Sequence, residues 1–456
     1  MGGAQPRPLG AGGAPPAVID RSNPGARMTS ALLPGAALHP PHEPALLSQY
    51  RHVRAATETL VADLSDADAT VQSMDDASPA KWHLAHITWF FEEFVLAARI
   101  PDYEPVDPAY RYLFNSYYEA VGARHPRPQR GLLTRPSLDE VLAYREAVDE
   151  AMLSLLGSAQ TDDEAALIML GLQHEQQHQE LLLTDVLHLF AQNPLRPAFA
   201  PELPAPVIAD PRPAPDWIGF DGGLVEIGHR GETFAFDCET PRHKVFLAPF
   251  TLCSHPVSNR QWFEFIEDGG YQSAGLWLSD GWRWVGEQGI QAPLYWEERE
   301  GTWWQMTLRG MHPVDPDSPV THVSFYEADA FARWAERRLP IEAEWEHAAS
   351  RLPATGNFVE GRALRPLPDR QNTAGVLRQM FGDVWEWTAS AFLPYPGFRP
   401  NAGAVGEYNG KFMSGQMVLR GGSCVTPESH IRATYRNFFY PHQRWQFTGV
   451  RLADDV

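Results

Sequence analysis

Cysteine is scarce in this sequence: three residues in 456, at Cys238, Cys253 and Cys424, far apart and in no C-x-x-C spacing. That excludes a disulfide framework and a thiolate zinc site, and a reducing, cytoplasmic compartment is expected. Positive charge is also in deficit, with 37 Lys and Arg against 57 Asp and Glu and a net charge of −20. A chain this acidic is a poor partner for a nucleic-acid backbone or an anionic membrane. No apolar run approaches the ~18 uncharged residues that a membrane span needs. Any transition metal held here must therefore rest on histidine and carboxylate.

Residues 1–45 are dominated by Pro, Gly and Ala and lack the basic start and apolar run of a secretory signal, so a disordered leader is expected. Helical spacing of apolar residues then appears in four stretches: 46–65, 79–99, 137–156 and 161–192. Ser78-Pro79 reads as a cap followed by a first helical residue, and Ser137 with Glu140 as a capping box. Four such helices imply a bundle. The stretch 101–136, rich in Tyr, Arg and Pro, is too aromatic for disorder and reads as a functional loop. A proline-dense segment, 193–216, marks the domain boundary. Beyond it, 217–456 alternates short β-like runs with brief helices, an α+β texture without internal repeats.

GLQHEQQHQELLLTDVLH (171–188) places His174 and His178 at i and i+4, so both imidazoles leave one helix face about a turn apart. KWHLAHITWFFEE adds His83 and His86 on a second helix, and facing helices of a bundle build metal sites. HEQQH also fits the zinc-protease pattern with Glu175 as base. The metzincin continuation fails, however, because Leu181 and Thr184 stand where Gly and His are required. His188 lies ten residues past His178, too far along the helix to share an ion.

WHLAH with HEQQHQE resembles the DinB-like four-helix bundle of the ergothioneine-pathway sulfoxide synthases (EgtB). GGLVEIG, PVTHVSFYEADAFARWAERRLPIEAEWEHAAS, GDVWEWT, LRGGSC and FTGVRLA resemble the formylglycine-generating-enzyme (sulfatase-modifying factor) domain, a C-type-lectin-like α+β fold. Together they cover about 50–456. The resemblance implies an α plus α/β multi-domain chain: a metal-bearing bundle over 46–192, a linker over 193–216 and the second domain over 217–456. It implies His86, His174 and His178 as ligands, with His83 as a packing or supporting residue. Ligand type alone permits zinc equally; iron(II) is what the resemblance implies.

In that family iron(II) and O2 join a cysteine thiol to C2 of the imidazole of hercynine (trimethyl-histidine), giving a sulfoxide. The reaction needs an aromatic surround for a quaternary ammonium, groups for two carboxylates, and a proton or hydrogen donor that diverts the oxidation from a sulfinate. By the resemblance Tyr117 and Tyr118 are the candidates for that donor, and Arg127 and Arg130 bind the thiol substrate's carboxylate. Gln177 contacts hercynine, while Asn437, Phe438 and Phe439 close the site from the second domain. The glutamylcysteine-using branch carries Trp-Asp where this chain has Phe438-Phe439, which implies the branch that uses free cysteine. Cys424 has no neighbouring cysteine and reads as a structural thiol, and Trp385 and Trp387 as core.

The expected partners are hercynine, cysteine and O2, with no nucleic acid or membrane, acting on a monomer. Within this class the alternatives are γ-glutamylcysteine, histidine as in ovothiol synthases, or a selenium donor as in selenoneine formation. Outside it stand a DinB-like metal-dependent thiol transferase and a ligand-binding module on the lectin-like domain.

Overall fold

The computed structural model describes residues 45–201, 216–231, 233–369, 374–400, 406 and 409–456. Residues 1–44 of the expected leader and 202–215 of the expected linker lie outside the described residues. Among those described, no helix is long and apolar enough to cross a membrane.

The bundle helices are α1 (Ala45–Val61), α2 (Ala80–Phe91), α3 (Leu138–Leu156) and α4 (Asp162–Gln192). Reciprocal capping boxes start α3 at Ser137 with Glu140 and α4 at Thr161 with Glu164. The start of α2 differs from the sequence expectation. Pro79 occupies the cap position, no side chain caps the helix, and the first helical residue is Ala80. Ser78 is taken up elsewhere: its hydroxyl accepts from Arg130 Nη1 at 2.9 Å and its N–H donates to Asp185 Oδ2 at 2.8 Å. After Phe91 the helix passes into one π turn, Glu92–Leu96, where Glu92 accepts from Tyr144 Oη at 2.6 Å. The long loop is ordered by a short helix, Tyr110–Phe114, and a 3₁₀ turn, Arg127–Leu132.

The second region carries β1 (Trp217–Phe220), β2 (Gly223–Ile227), β3 (His243–Leu247), β4 (Phe250–Cys253), β5 (Trp296–Arg299), β6 (Thr302–Thr307), β7 (Gly310–Pro313), β8 (Trp385–Ala391), β9 (Met417–Arg420), β10 (Asn437–Phe439), β11 (Thr448–Gly449) and β12 (Ala453–Asp455). They form small sheets in the orders β1-β4-β12, β10-β9-β8-β11, β2-β3 and β5-β6-β7. Short helices, among them Phe325–Trp334 and Glu342–Ala349, pack between them. A buried Arg451–Glu386 pair at 2.7 Å, joined by Trp345 Nε1 on Glu386 at 2.6 Å, anchors β8. Trp385 and Trp387 are buried beside it, and all three cysteines are free and buried. Burial pushes the Cys424 thiol up, which suits an inert core residue.

α4 is enclosed on three sides. Its Glu175 and Gln179 face α1: Glu175 accepts from Arg54 Nη1 at 2.9 Å, Thr57 Oγ1 at 2.6 Å and, from α3, Arg145 Nη2 at 2.5 Å. Burial alone would raise the Glu175 carboxyl, but Arg145 and Arg54 outweigh it and bring it to about 2. Its Glu180 faces the second region, accepting from Trp385 Nε1 at 2.5 Å, Thr426 Oγ1 at 2.7 Å and Ser423 Oγ at 3.2 Å. These donors are all neutral, so burial dominates and the Glu180 carboxyl is raised.

Glu175→Gln removes the charge that two buried guanidinium groups share, leaving Arg54 with Asp149 and Arg145 with Glu58, and urea unfolding at pH 7 should show a loss of about 3 kcal/mol. Because the folded carboxyl is depressed, its contribution is full above the ordinary carboxyl range and fades as pH falls toward 2. The gap between wild type and variant should therefore narrow at pH 3; a gap that is absent at pH 7, or widens in acid, contradicts this role.

Candidate metal centre

The third side of α4 carries His174 and His178, and it faces His86 on α2. The three imidazoles bring one ligand atom each to within 4.8 Å of one another. His86 Nδ1 lies 2.6 Å from the Phe114 carbonyl, which can only accept, so the ring proton sits on Nδ1 and Nε2 is bare. That Nε2 is 3.2 Å from His174 Nε2. Two nitrogens bound to one ion at ~2.1 Å and near right or tetrahedral angles stand about 3.0–3.4 Å apart, so the pair fits a shared metal. Burial holds His86 and His178 well below the usual imidazole range and brings His174 to about 3. All three are neutral at pH 7, the form that binds metal.

His83 stands outside the trio and supports it. Its Nε2 is 3.0 Å from Asp185 Oδ2, and its Nδ1 is 2.8 Å from His178 Nδ1. A carboxylate accepts, so His83 carries its proton on Nε2 and presents a lone pair from Nδ1. His178 must then donate from Nδ1, which leaves its Nε2 for the metal. Asp185 is held in turn by the Ser78 N–H. Trp82 lies flat on His86, with centroids 4.7 Å apart and planes 12° from parallel, and fixes the ring from the side.

The remaining expected site residues lie at different depths in the fold. Arg130 is buried, its guanidinium 3.3 Å from the centroid of Trp82, so one indole links it to His86. Arg127 is exposed and donates to the Asp76 carbonyl, so the structure does not bring it to the imidazoles. Tyr118 is buried among Trp89, Phe90 and Phe94, and Phe90 packs on His174 at 5.0 Å. Tyr117 is half-buried against Phe412 at 5.4 Å, with the Lys411 ammonium donating to its carbonyl. Gln177 donates from Nε2 to Tyr435 Oη at 2.6 Å across the boundary with the second region. Asn437, Phe438 and Phe439 form β10, where Phe438 stacks between Phe392 at 4.0 Å and Phe412 at 6.0 Å. Through Phe412 this strand reaches Tyr117.

Glu175 cannot serve as a protease base, because both its oxygens are taken by arginines and Thr57 on the α1 side of the helix. His188 bonds Ser73 at 2.7 Å and takes no part in the trio. Two residues that matter were missed. Asp185 sits seven residues after His178, hence on the same face, and Trp82 sits one turn before His86. Both could have been found from helical spacing.

Replacing His86, His174 or His178 by Ala should abolish bound metal on elemental analysis. His83→Ala should keep a full complement at saturation, with affinity about 10–100-fold lower in chelator competition. Metal retained by His86→Ala and lost by His83→Ala would reverse the assignment.

Comparison with known proteins places this geometry. Residues 49–182 match the DinB superfamily, and 205–374 and 363–456 match the sulfatase-modifying factor enzyme 1-like domain. The hercynine oxygenase of Mycolicibacterium thermoresistibile is 34% identical over 91% of this chain and 96% of its own length. That of Mycobacterium tuberculosis is 34% identical over 88% of this chain and 97% of its own. A formylglycine-generating enzyme of Streptomyces coelicolor is 28% identical over 57% of this chain and 95% of its own. With both parts matched in this order and at this identity, the chain belongs to the hercynine oxygenase family.

Proposed function

We propose that the chain joins the sulfur of free cysteine to C2 of the hercynine imidazole, giving hercynylcysteine sulfoxide, the C–S bond-forming step of ergothioneine biosynthesis. The balance is one hercynine C–H, one cysteine S–H and one O2 to one sulfoxide and one water. Forming the C–S bond and oxidising the sulfur each release two electrons, and O2 takes all four. The observation that carries this reading is the converged, neutral trio of His86, His174 and His178 in a chain of this family. These three imidazoles would hold iron(II), which when bound would supply thiol coordination and O2 activation.

The protein's own groups bind and orient. Arg130, pinned under Trp82 with Nη1 on Ser78, takes the cysteine carboxylate. Arg127 joins it by exchanging its contact with the Asp76 carbonyl for the substrate. Gln177 contacts hercynine, and β10 with Asn437, Phe438 and Phe439 closes the site from the second region. Phe439 offers no carboxylate to the free amine of a γ-glutamyl group, which favours cysteine over the dipeptide. Tyr118 lies one ring layer beyond His174, through Phe90, and Tyr117 lines the boundary at Phe412. One of these phenols holds the proton that diverts the oxidation from cysteine sulfinate to C–S bond formation.

A mass-spectrometric assay with hercynine and each thiol tests both claims. Cysteine should show the higher kcat/KM, and a clear preference for γ-glutamylcysteine would refute the branch assignment. Under saturating substrates, Tyr117→Phe or Tyr118→Phe should yield mostly cysteine sulfinate, with sulfoxide formation down about a hundredfold, or ~3 kcal/mol. If both single variants and the double variant keep the wild-type sulfoxide fraction, neither phenol is the donor.

A further inference from the structure

Four side chains from two parts of the fold form one hydrogen-bonded row beside the imidazoles. Gln173 and Gln177 stand at i and i+4 on α4, each next in sequence to a proposed ligand, His174 or His178. His430 and Tyr435 come from the loop that follows β9. The links are Gln173 Oε1 to His430 Nδ1 at 2.7 Å, His430 Nε2 to Tyr435 Oη at 3.0 Å, and Tyr435 Oη to Gln177 Nε2 at 2.6 Å.

The protons run one way along this row. The Gln173 carbonyl accepts, so His430 donates from Nδ1. Burial holds His430 well below the usual imidazole range, so the ring is neutral and its Nε2 is a lone pair. Tyr435 must therefore donate its O–H to His430, and its oxygen accepts from the Gln177 amide. The amide of Gln177 thus donates to a phenol whose own proton is directed by His430, and the row closes back on α4 at Gln173. The row also cannot relax by rotation. Tyr435 and His430 are 4% and 1% exposed. The phenol is wedged by Trp385 at 5.4 Å, Phe236 at 5.7 Å and the Arg432 guanidinium at 5.0 Å. Phe236 also closes on His430 at 6.0 Å.

We infer that Tyr435 and His430 are positioning residues: from the second region they fix the Gln177 amide in the orientation that receives the imidazole substrate. This rests on the reading of Gln177 as a hercynine contact. It makes substrate affinity a property of both halves of the chain, because the phenol that the Gln177 amide donates to comes from the second region. Two neighbouring contacts keep the same loop in place: Gln176 Nε2 on Ser429 Oγ at 2.6 Å, and Glu180 on Ser423 and Thr426.

The test uses the iron-loaded full chain. Tyr435→Phe keeps the ring and deletes the link, and it should raise both the calorimetric Kd and the KM for hercynine about tenfold. The KM for cysteine and the bound iron should stay at wild-type levels, with kcat changed less than threefold. A merely structural role would lower the melting temperature without this split. The double variant Gln177→Ala/Tyr435→Phe should bind hercynine no more weakly than Gln177→Ala alone. His430→Phe breaks the next link and should shift the hercynine KM in the same direction, which keeps the test open if Tyr435→Phe does not fold. An unchanged hercynine KM in Tyr435→Phe or His430→Phe, or effects that multiply in the double variant, overturns the inference while Gln177→Ala still impairs binding. If Gln177→Ala binds hercynine normally, the substrate contact itself is wrong and the inference falls with it.

Discussion

Helix α4 meets the other bundle helices on two of its sides and the second region on a third. A helix enclosed on three sides must give every polar side chain a partner, because an unpaired buried charge costs several kcal/mol. Here each side solves that problem with a different chemistry. Toward α1 and α3 the solution is an ion cluster, Glu175 with Arg54 and Arg145. Toward the second region it is a carboxylate held by neutral donors, Glu180 with Trp385, Thr426 and Ser423. Toward α2 it is three imidazoles that burial keeps neutral, which is what a metal site requires. The same turns of helix therefore fix the bundle, dock the second region and shape the metal centre.

This economy explains why the second region has so little regular structure where it meets the bundle. Loops rather than strands supply Ser423, Thr426, Ser429, His430 and Tyr435, and each meets a named residue of α4. Short strands such as β8 and β9 hold those loops from behind, through the buried Arg451–Glu386 pair and the tryptophans beside it. Rigid scaffold and functional loop are the expected division of labour. The supports of the ligands follow the same logic: Asp185 and His83 set the tautomer of His178, the Phe114 carbonyl sets that of His86, and Trp82 holds the ring plane.

What the sequence made legible was the local part of this arrangement. Helical periodicity located all four bundle helices, and the i, i+4 spacing of His174 and His178 with His83 and His86 on a second helix pointed to a histidine cluster, while the choice of His86 over His83 came from the family resemblance. Ser78 misled because a serine before proline has the grammar of a cap, whereas tertiary contacts with Arg130 and Asp185 claim both its groups. Glu175 matched a protease motif because a motif records spacing along the helix and not which neighbour each face meets. Arg127 and Arg130 look alike in sequence, yet the 3₁₀ turn buries one on Trp82 and leaves the other exposed. His430 and Tyr435 carried no local signal: more than 250 residues separate them from their partners on α4.

The proposed reaction at the three imidazoles is an oxidative coupling that consumes both organic substrates with O2. Oxygen uptake by the iron-loaded chain, recorded with hercynine and cysteine together and with each alone, tests it most directly. Sustained uptake is expected only with both present, at one O2 per sulfoxide formed. Uptake at the same rate with cysteine alone, or consumption of both substrates under strict anaerobiosis, would contradict it.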